Sequence, residues 1–223
     1  MDWLEFFRGP MFQIALLVFI LGMVYRFLRI VLMGWKKDYS PPRGSAAAGV
    51  VKTYVKGLGF LPFLPPKFPG TRHRPLTYIA GGMFHLGLFV VIFLSTPHME
   101  AWRSVLGFGW PTLPTPFIDG FAAMSMIGMI ILLSNRIVSP VGRMLTGLGE
   151  WLNWIVVFLP LLSGWVLYHH LFGMPYQTIF AIHMFTVDWL LIWIPFSRIS
   201  HFMTYFITRT MHGAKFGRLG VEP

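Results

Sequence analysis

Histidine is the residue type whose spacing in this chain most suggests chemistry. His183 and His201 lie in one apolar stretch and are 18 residues apart. In a continuous helix this spacing is about five turns, so both imidazoles would lie on one face, roughly 27 Å apart along the axis. The hydrocarbon core of a bilayer is roughly 30 Å thick. The stretch is therefore predicted to be one membrane-spanning helix that carries a histidine near each membrane face.

Other histidines lie at matching depths in neighbouring apolar segments. His85 is well inside the second segment, at a depth compatible with His201, whereas His183 has two possible partners, His98 and the adjacent His169–His170 pair. Two neutral imidazoles on facing helices fill both axial positions of a haem, which then transfers electrons rather than binding dioxygen. The alternatives are a packing histidine bonded to a backbone carbonyl and a proton relay. No HExxH, CxxC or carboxylate–histidine cluster supports a zinc site.

The composition is that of a membrane protein. Of the 223 residues, 55% are apolar and 12% are charged, whereas about a quarter are charged in soluble domains. We predict an all-α membrane protein, a bundle of five transmembrane helices in a single domain over residues 1–223, because five apolar segments approach the roughly 20 residues of a span. These segments cover about 10–32, 76–95, 118–138, 151–172 and 178–201. Pro10 is expected to open the first helix.

The positive charge predicts the orientation. The net charge is +10, and all but two of the 18 Lys and Arg residues fall on one side of the predicted spans, the exceptions being Arg8 and Arg103. The positive-inside rule then places the N-terminus outside and the C-terminus in the cytoplasm, in the cytoplasmic (inner) membrane. No nucleic-acid motif accompanies the charge, so no nucleic-acid partner is expected. The basic segment 33–74 is predicted to be a cytoplasmic loop that docks a partner or lies on anionic lipid.

The chain has no cysteine. It cannot hold an iron–sulfur cluster by itself, so any such cluster must belong to a partner.

Three fragments around the histidines resemble a known family. FHLG around His85, IHM around His183 and PFSRISH ending at His201 are similar to the gamma subunit of respiratory nitrate reductase, a family of five-helix, dihaem cytochromes b. Related subunits occur in complexes of sulfate reducers that contain heterodisulfide-reductase-like iron–sulfur proteins. The resemblance implies that His85 and His201 hold the haem b nearer the cytoplasm and that His183 holds one side of an outer haem b.

The family's fourth ligand would fall at Ser95, which cannot bind iron. We expect either His98, where Pro97 would unwind the helix end, or the His169–His170 pair to replace it; otherwise the outer haem is absent. Arg198, at the cytoplasmic rim, is expected to pair with haem propionates or to mark the interface.

The resemblance and the histidine depths together predict a dihaem membrane anchor. It would be the quinone-reactive electron-transfer subunit of an oxidoreductase, passing electrons between menaquinone or ubiquinone and a cytoplasmic iron–sulfur subunit. Asp188, the one carboxylate deep in a predicted span, is the candidate catalytic residue, as a relay for a proton released by quinol; the alternative is a helix–helix hydrogen bond. A haem-free anchor and a proton- or metal-coupled transporter remain open, although no internal repeat supports the transporter.

Overall fold

Helices form the whole of the regular structure in the part of the chain that the computed structural model describes, residues 2–33, 39–57 and 75–221, where there is no strand. Five helical stretches in this part are long and apolar enough to cross a membrane: Trp3–Leu32, Pro75–Leu94, Thr115–Val138, Leu148–His169 and Tyr176–Phe196. The predictions of an all-α fold and of five apolar spans are therefore confirmed, and the chain is a multi-pass membrane protein.

We number the α-helices of the described residues in chain order: α1 (Trp3–Phe6), α2 (Phe12–Leu32), α3 (Ala46–Gly57), α4 (Pro75–Leu94), α5 (Thr96–Leu106), α6 (Thr115–Val138), α7 (Pro140–Met144), α8 (Leu148–His169), α9 (Tyr176–Trp193) and α10 (His201–Arg218). The chain divides into two compact units. The first comprises residues 1–13 and 62–190, and the second comprises residues 14–61 and 191–223.

The last span ends earlier than the sequence predicts. Helix α9 ends at Trp193, a 3₁₀ turn follows at Ile194–Phe196, and Ser197 is extended with φ −121° and ψ 177°. Proline has no N–H to donate and its ring collides with the preceding turn, so Pro195 favours an end to the regular helix here. The prediction of one helix over 178–201 is therefore wrong. His201 begins a new helix, and the argument that His183 and His201 share one helix face does not hold.

One further prediction of local structure is incomplete, and another is wrong. The segment 33–74, predicted to be a loop, contains α3; its proline-rich stretch 60–70 lies outside the described residues. Pro10 does not open the first helix, which begins at Trp3, but lies within a π-helical turn, Phe7–Met11. The wider turn accommodates a proline ring that would collide with a carbonyl in a regular helix.

The core of the first unit lies where α4, α6 and α8 pack together. Its buried centre is Met126, Met129 and Leu161, and large side chains of α4 and α8 surround them. Helices α4 and α6 approach closely at Gly128. A Cβ atom on this glycine would lie only 2.6 Å from the Ala80 carbonyl oxygen. Small residues commonly allow such approaches between membrane helices. This packing fixes α4 and α8, two helices that contact the candidate site.

The second unit contains an antiparallel pair formed by α3 and α10. A Cβ atom on Gly217 would lie 2.6 Å from the Cα of Gly49, so the two backbones touch at these glycines. Tyr54 donates a hydrogen bond of 2.8 Å to the Phe206 carbonyl at the other end of the pair. Gly49, in the stretch of small residues that was assigned from sequence to a loop, is thus part of the packing surface of α3.

Candidate bis-histidine site

His98 and His183 lie side by side in the first unit. Their ring centroids are 6.2 Å apart and their planes differ by 28°. Two imidazoles on opposite sides of one metal ion, each bonded at about 2 Å, have centroids roughly 6 Å apart. The centroid separation is therefore compatible with two histidines that would hold one haem iron.

The other predicted partners of His183 make different contacts. His169 Nε2 lies 2.8 Å from Asp119 Oδ1, which also accepts a hydrogen bond of 2.9 Å from the Trp165 indole. His170 is in the left-handed conformation that ends α8. Of the three candidates, His98 is the one whose ring contacts His183.

The junction between α4 and α5 positions His98. Helix α4 ends at Leu94, Ser95 is extended with φ −82° and ψ 143°, and α5 begins with Pro97 in its first turn. The predicted unwinding next to Pro97 is therefore present. The His98 ring turns back along α4, where its Nδ1 lies 2.8 Å from the Val91 carbonyl oxygen and 3.0 Å from Ser95 Oγ.

The last four carbonyl groups of α4 explain why this junction is well defined. Such groups have no partner within their own helix. Here each accepts a hydrogen bond from the segment that follows: Val91 from His98 Nδ1, Ile92 from the Trp102 indole, Phe93 from the Trp110 indole and Leu94 from the backbone N–H of Leu113. Sequence reasoning missed both tryptophans. The available signal was the presence of two donor-only indoles soon after the end of a span.

His183 is held from the neighbouring helix α8. Its Nδ1 lies 3.1 Å from Ser163 Oγ, and Ser163 in turn lies 3.0 Å from Thr186 Oγ1. Both hydroxyl residues are buried. A Cβ atom on Gly164 would lie 3.1 Å from His183 Cε1, so glycine at this position leaves room for the ring.

Three of the four candidate ligands use Nδ1 to donate to a backbone carbonyl. The acceptors are Gly81 for His85 (2.8 Å), Val91 for His98 and Arg198 for His201 (3.1 Å). Because a carbonyl oxygen only accepts, Nδ1 carries the proton and the lone pair of the neutral ring lies on Nε2. Metal-ligating histidines are typically oriented by such a bond from the second nitrogen.

The protonation of His98 agrees with this role. Burial lowers the pKa of its imidazole below the usual value of 6.5, although the hydrogen bond to Val91 acts in the opposite direction. The ring is therefore neutral at pH 7, and a neutral imidazole is the form that ligates a metal.

Exposure helps to distinguish a ligand from a packing residue at His85. A packing histidine would make the same Nδ1 bond, but its ring would be covered by protein. The His85 side chain is exposed although it lies near the middle of the membrane-spanning helix α4, between Phe84 and Phe89. A polar ring on the surface of a span is costly, which favours a cofactor on this face. His85 belongs to the first unit and His201 to the second, so their pairing stays a prediction.

The remaining predicted residues have contrasting environments. Asp188 is fully buried, and neither of its carboxylate oxygens has a hydrogen-bond partner among the described residues. The alternative that it forms a helix–helix hydrogen bond is therefore not supported in that part of the chain. Arg198 is exposed in a 3₁₀ turn that ends where α10 begins. Arg26, which the sequence did not single out, bonds to the Pro195 carbonyl and, at 2.7 Å, to Ser200 Oγ.

Comparison with known proteins identifies a relative but no family. No family model matches the chain, and no solved structure matches it. A protein of Nitratidesulfovibrio vulgaris strain Hildenborough, named only "Protein", is 28% identical over 224 aligned positions, which cover 97% of this chain and 92% of the relative. The two proteins are thus similar over nearly their whole lengths.

Proposed function

We propose that this protein is a dihaem b-type cytochrome that anchors a cytoplasmic oxidoreductase to the inner membrane. It would carry electrons between a membrane quinone, menaquinone or ubiquinone, and an iron–sulfur subunit. The observation that carries the proposal is the His98–His183 pair, whose 6.2 Å centroid separation suits two ligands of one iron. The resemblance of the PFSRISH stretch to the nitrate reductase gamma family supports the same function.

The four candidate histidines would hold two haems, His98 with His183 and His85 with His201. A haem with two axial histidines supplies one-electron transfer and has no open coordination position. The chain orients the rings from Nδ1, through the carbonyls of Gly81, Val91 and Arg198 and the hydroxyl of Ser163. In this proposal, the four histidines would hold the iron ions through Nε2, the nitrogen that the Nδ1 bonds of His85, His98 and His201 leave available.

The partner and the direction of insertion follow from charge and composition. Because the chain has no cysteine, the iron–sulfur cluster must be on another subunit. The concentration of Lys and Arg on one side supports a cytoplasmic C-terminus and an outer N-terminus.

Asp188 is the proposed proton relay. Quinol oxidation releases two protons with two electrons, and a carboxyl group can bind and release a proton. Asp188 is a buried carboxyl whose oxygens are not engaged by any other group among the described residues. The same observation supports a second candidate function, a haem-free, proton-coupled transporter. A plain membrane anchor without haem is the third.

A haem count on the purified protein separates these functions. We expect two haems b per chain in a pyridine haemochrome assay and two midpoint potentials in a redox titration. His98→Ala should remove the outer haem alone, and His201→Ala should remove the inner haem alone. His170→Ala is the matched control, because this residue ends α8 and is expected to leave both haems bound. Purified protein without stoichiometric haem would contradict the proposal and favour the transporter or the plain anchor.

A further inference from the structure

One face of α10 forms a polar groove in the second unit. The groove begins at His201 and is lined by His201, Thr204, Tyr205, Thr208, Arg209 and His212. These positions follow the three- and four-residue spacing that puts side chains on one face of a helix. From the first to the last of them the groove extends roughly 16 Å along the helix axis. Arg198, which precedes the helix, is not among its described lining residues.

The permanently charged side chain of this groove, Arg209, lies toward its far end. The hydroxyl of Thr208 donates to the Thr204 carbonyl at 2.9 Å, one turn back along the helix. The guanidinium carbon of Arg209 lies 5.3 Å from the centre of the Tyr205 ring, and the centroids of the His212 and Phe216 rings are 4.5 Å apart with planes tilted by 43°. Arg209 therefore supplies a fixed positive charge that an aromatic face helps to position.

The described part of the second unit has no acidic side chain that could neutralise Arg209. Its described residues, 14–33, 39–57 and 191–221, contain no Asp or Glu, although they contain cations on α2, α3 and α10. A guanidinium is always charged in proteins and binds carboxylates and phosphates in a planar, two-point geometry. An oxyanion from outside these described residues is therefore the group that this groove fits.

We propose that the groove binds the propionate carboxylates of the haem ligated by His201, and that Arg209 rather than Arg198 is their counter-ion. This inference rests on the proposed function. Arg209 is eight residues after His201, which places its Cα roughly 12 Å further along the helix axis. The propionates of a haem lie at the edge of the porphyrin. The groove leads from His201, which would hold the iron, to the guanidinium of Arg209, which would pair with the propionates.

Redox titration of matched variants tests the assignment. Arg209→Gln is expected to lower the midpoint potential of the inner haem, because loss of a nearby positive charge favours the oxidised, more positive haem. It should also move the pH dependence of that potential to higher pH, because a propionate without its cation binds a proton more readily. The outer haem should be unchanged. Arg209→Lys should restore most of the shift. Lys215→Gln, which removes an exposed cation of the same helix outside the groove, is the control expected to leave both potentials unchanged.

The outcomes separate failure of this assignment from failure of the proposed function. If two haems are bound but Arg209→Gln leaves the inner potential and its pH dependence unchanged, the assignment is overturned and the cytochrome stands. If no haem is bound, the proposed function itself is overturned. Titration in nanodiscs distinguishes the source of the oxyanion. A wild-type inner potential that changes between phosphatidylcholine and phosphatidylglycerol, and that no longer does so in Arg209→Gln, would assign the groove to lipid phosphate instead.

Discussion

The space beside His183 can be tested by replacing Gly164 with alanine. A Cβ atom at this position would lie 3.1 Å from Cε1 and 3.4 Å from Nδ1 of the His183 ring. Carbon atoms pack best at about 3.5–4.0 Å, so the ring must move by roughly half an ångström. The movement would also disturb the contact of 3.1 Å between Nδ1 and Ser163 Oγ. The added methyl group therefore acts on the orientation of the candidate ligand.

Two opposing contributions set the expected change in stability. Overpacking of a closely packed site costs about 1–3 kcal/mol, whereas alanine is favoured over glycine in a helix by about 1 kcal/mol. Gly149 lies in the same helix and has no atom within 4 Å of its added Cβ. Gly149→Ala should therefore gain the stability that alanine gives a helix, without any cost from overpacking. We expect Gly164→Ala to be less stable than Gly149→Ala by about 1–3 kcal/mol.

The assay combines unfolding with spectroscopy of the outer haem. SDS titration in mixed micelles measures the stability of each variant, and electron paramagnetic resonance at low temperature reports the orientation of the axial imidazoles. Gly164→Ala should alter the signal of the haem that His98→Ala removes, and Gly149→Ala should leave it unchanged. Equal stabilities for the two variants, together with identical spectra, would refute the idea that His183 is an oriented ligand packed against α8.

Two more predictions concern buried polar groups. Arg26→Met removes the side-chain hydrogen bonds to the turns after α9 and should lower the free energy of unfolding by about 1.5–3 kcal/mol. Thermal denaturation in detergent measures the change. The control is Arg29→Met, which replaces an exposed arginine of the same helix and should change the free energy of unfolding by less than about 0.5 kcal/mol. Asp188→Asn should slow haem reduction by quinol roughly 100-fold in stopped-flow absorbance, because a positioned proton-transfer group contributes at least this factor. An unchanged rate with both haems retained would assign Asp188 a structural role only.

The spans could be predicted because each buries its own backbone hydrogen bonds within one apolar run. The break near Pro195 was missed for the same reason: hydropathy continues through the turn, and proline is tolerated in membrane helices, so composition alone carries no clear stop signal. The pairing of α3 with α10 was missed although its glycines, Gly49 on one helix and Gly213 and Gly217 on the other, have the spacing of close-packed helices. The sequence shows such a surface but not the helix that covers it.

His98 lies next to His183 because the backbone is extended at one residue, Ser95. Pro97 predicted a disturbance of the helix end, but the sequence did not indicate that Ser95 would be extended or that the ring would fold back to Val91. That geometry is fixed by indole donors 10 and 17 residues beyond their acceptor carbonyls in α4. Contacts over such separations depend on the fold of the connecting segment, so no local pattern reports them.

The acceptors of the four imidazoles predict that the two proposed haem sites differ in their sensitivity to packing. His85 and His201 donate to carbonyls four and three residues earlier in the chain, so each ring has an acceptor in its own local backbone. His183 instead depends on Ser163 of another helix, 20 residues away. A local acceptor moves with its ring, whereas an acceptor on another helix shifts whenever the two helices do. Substitutions in α8 should therefore disturb the outer haem and leave His85 and His201 oriented as before.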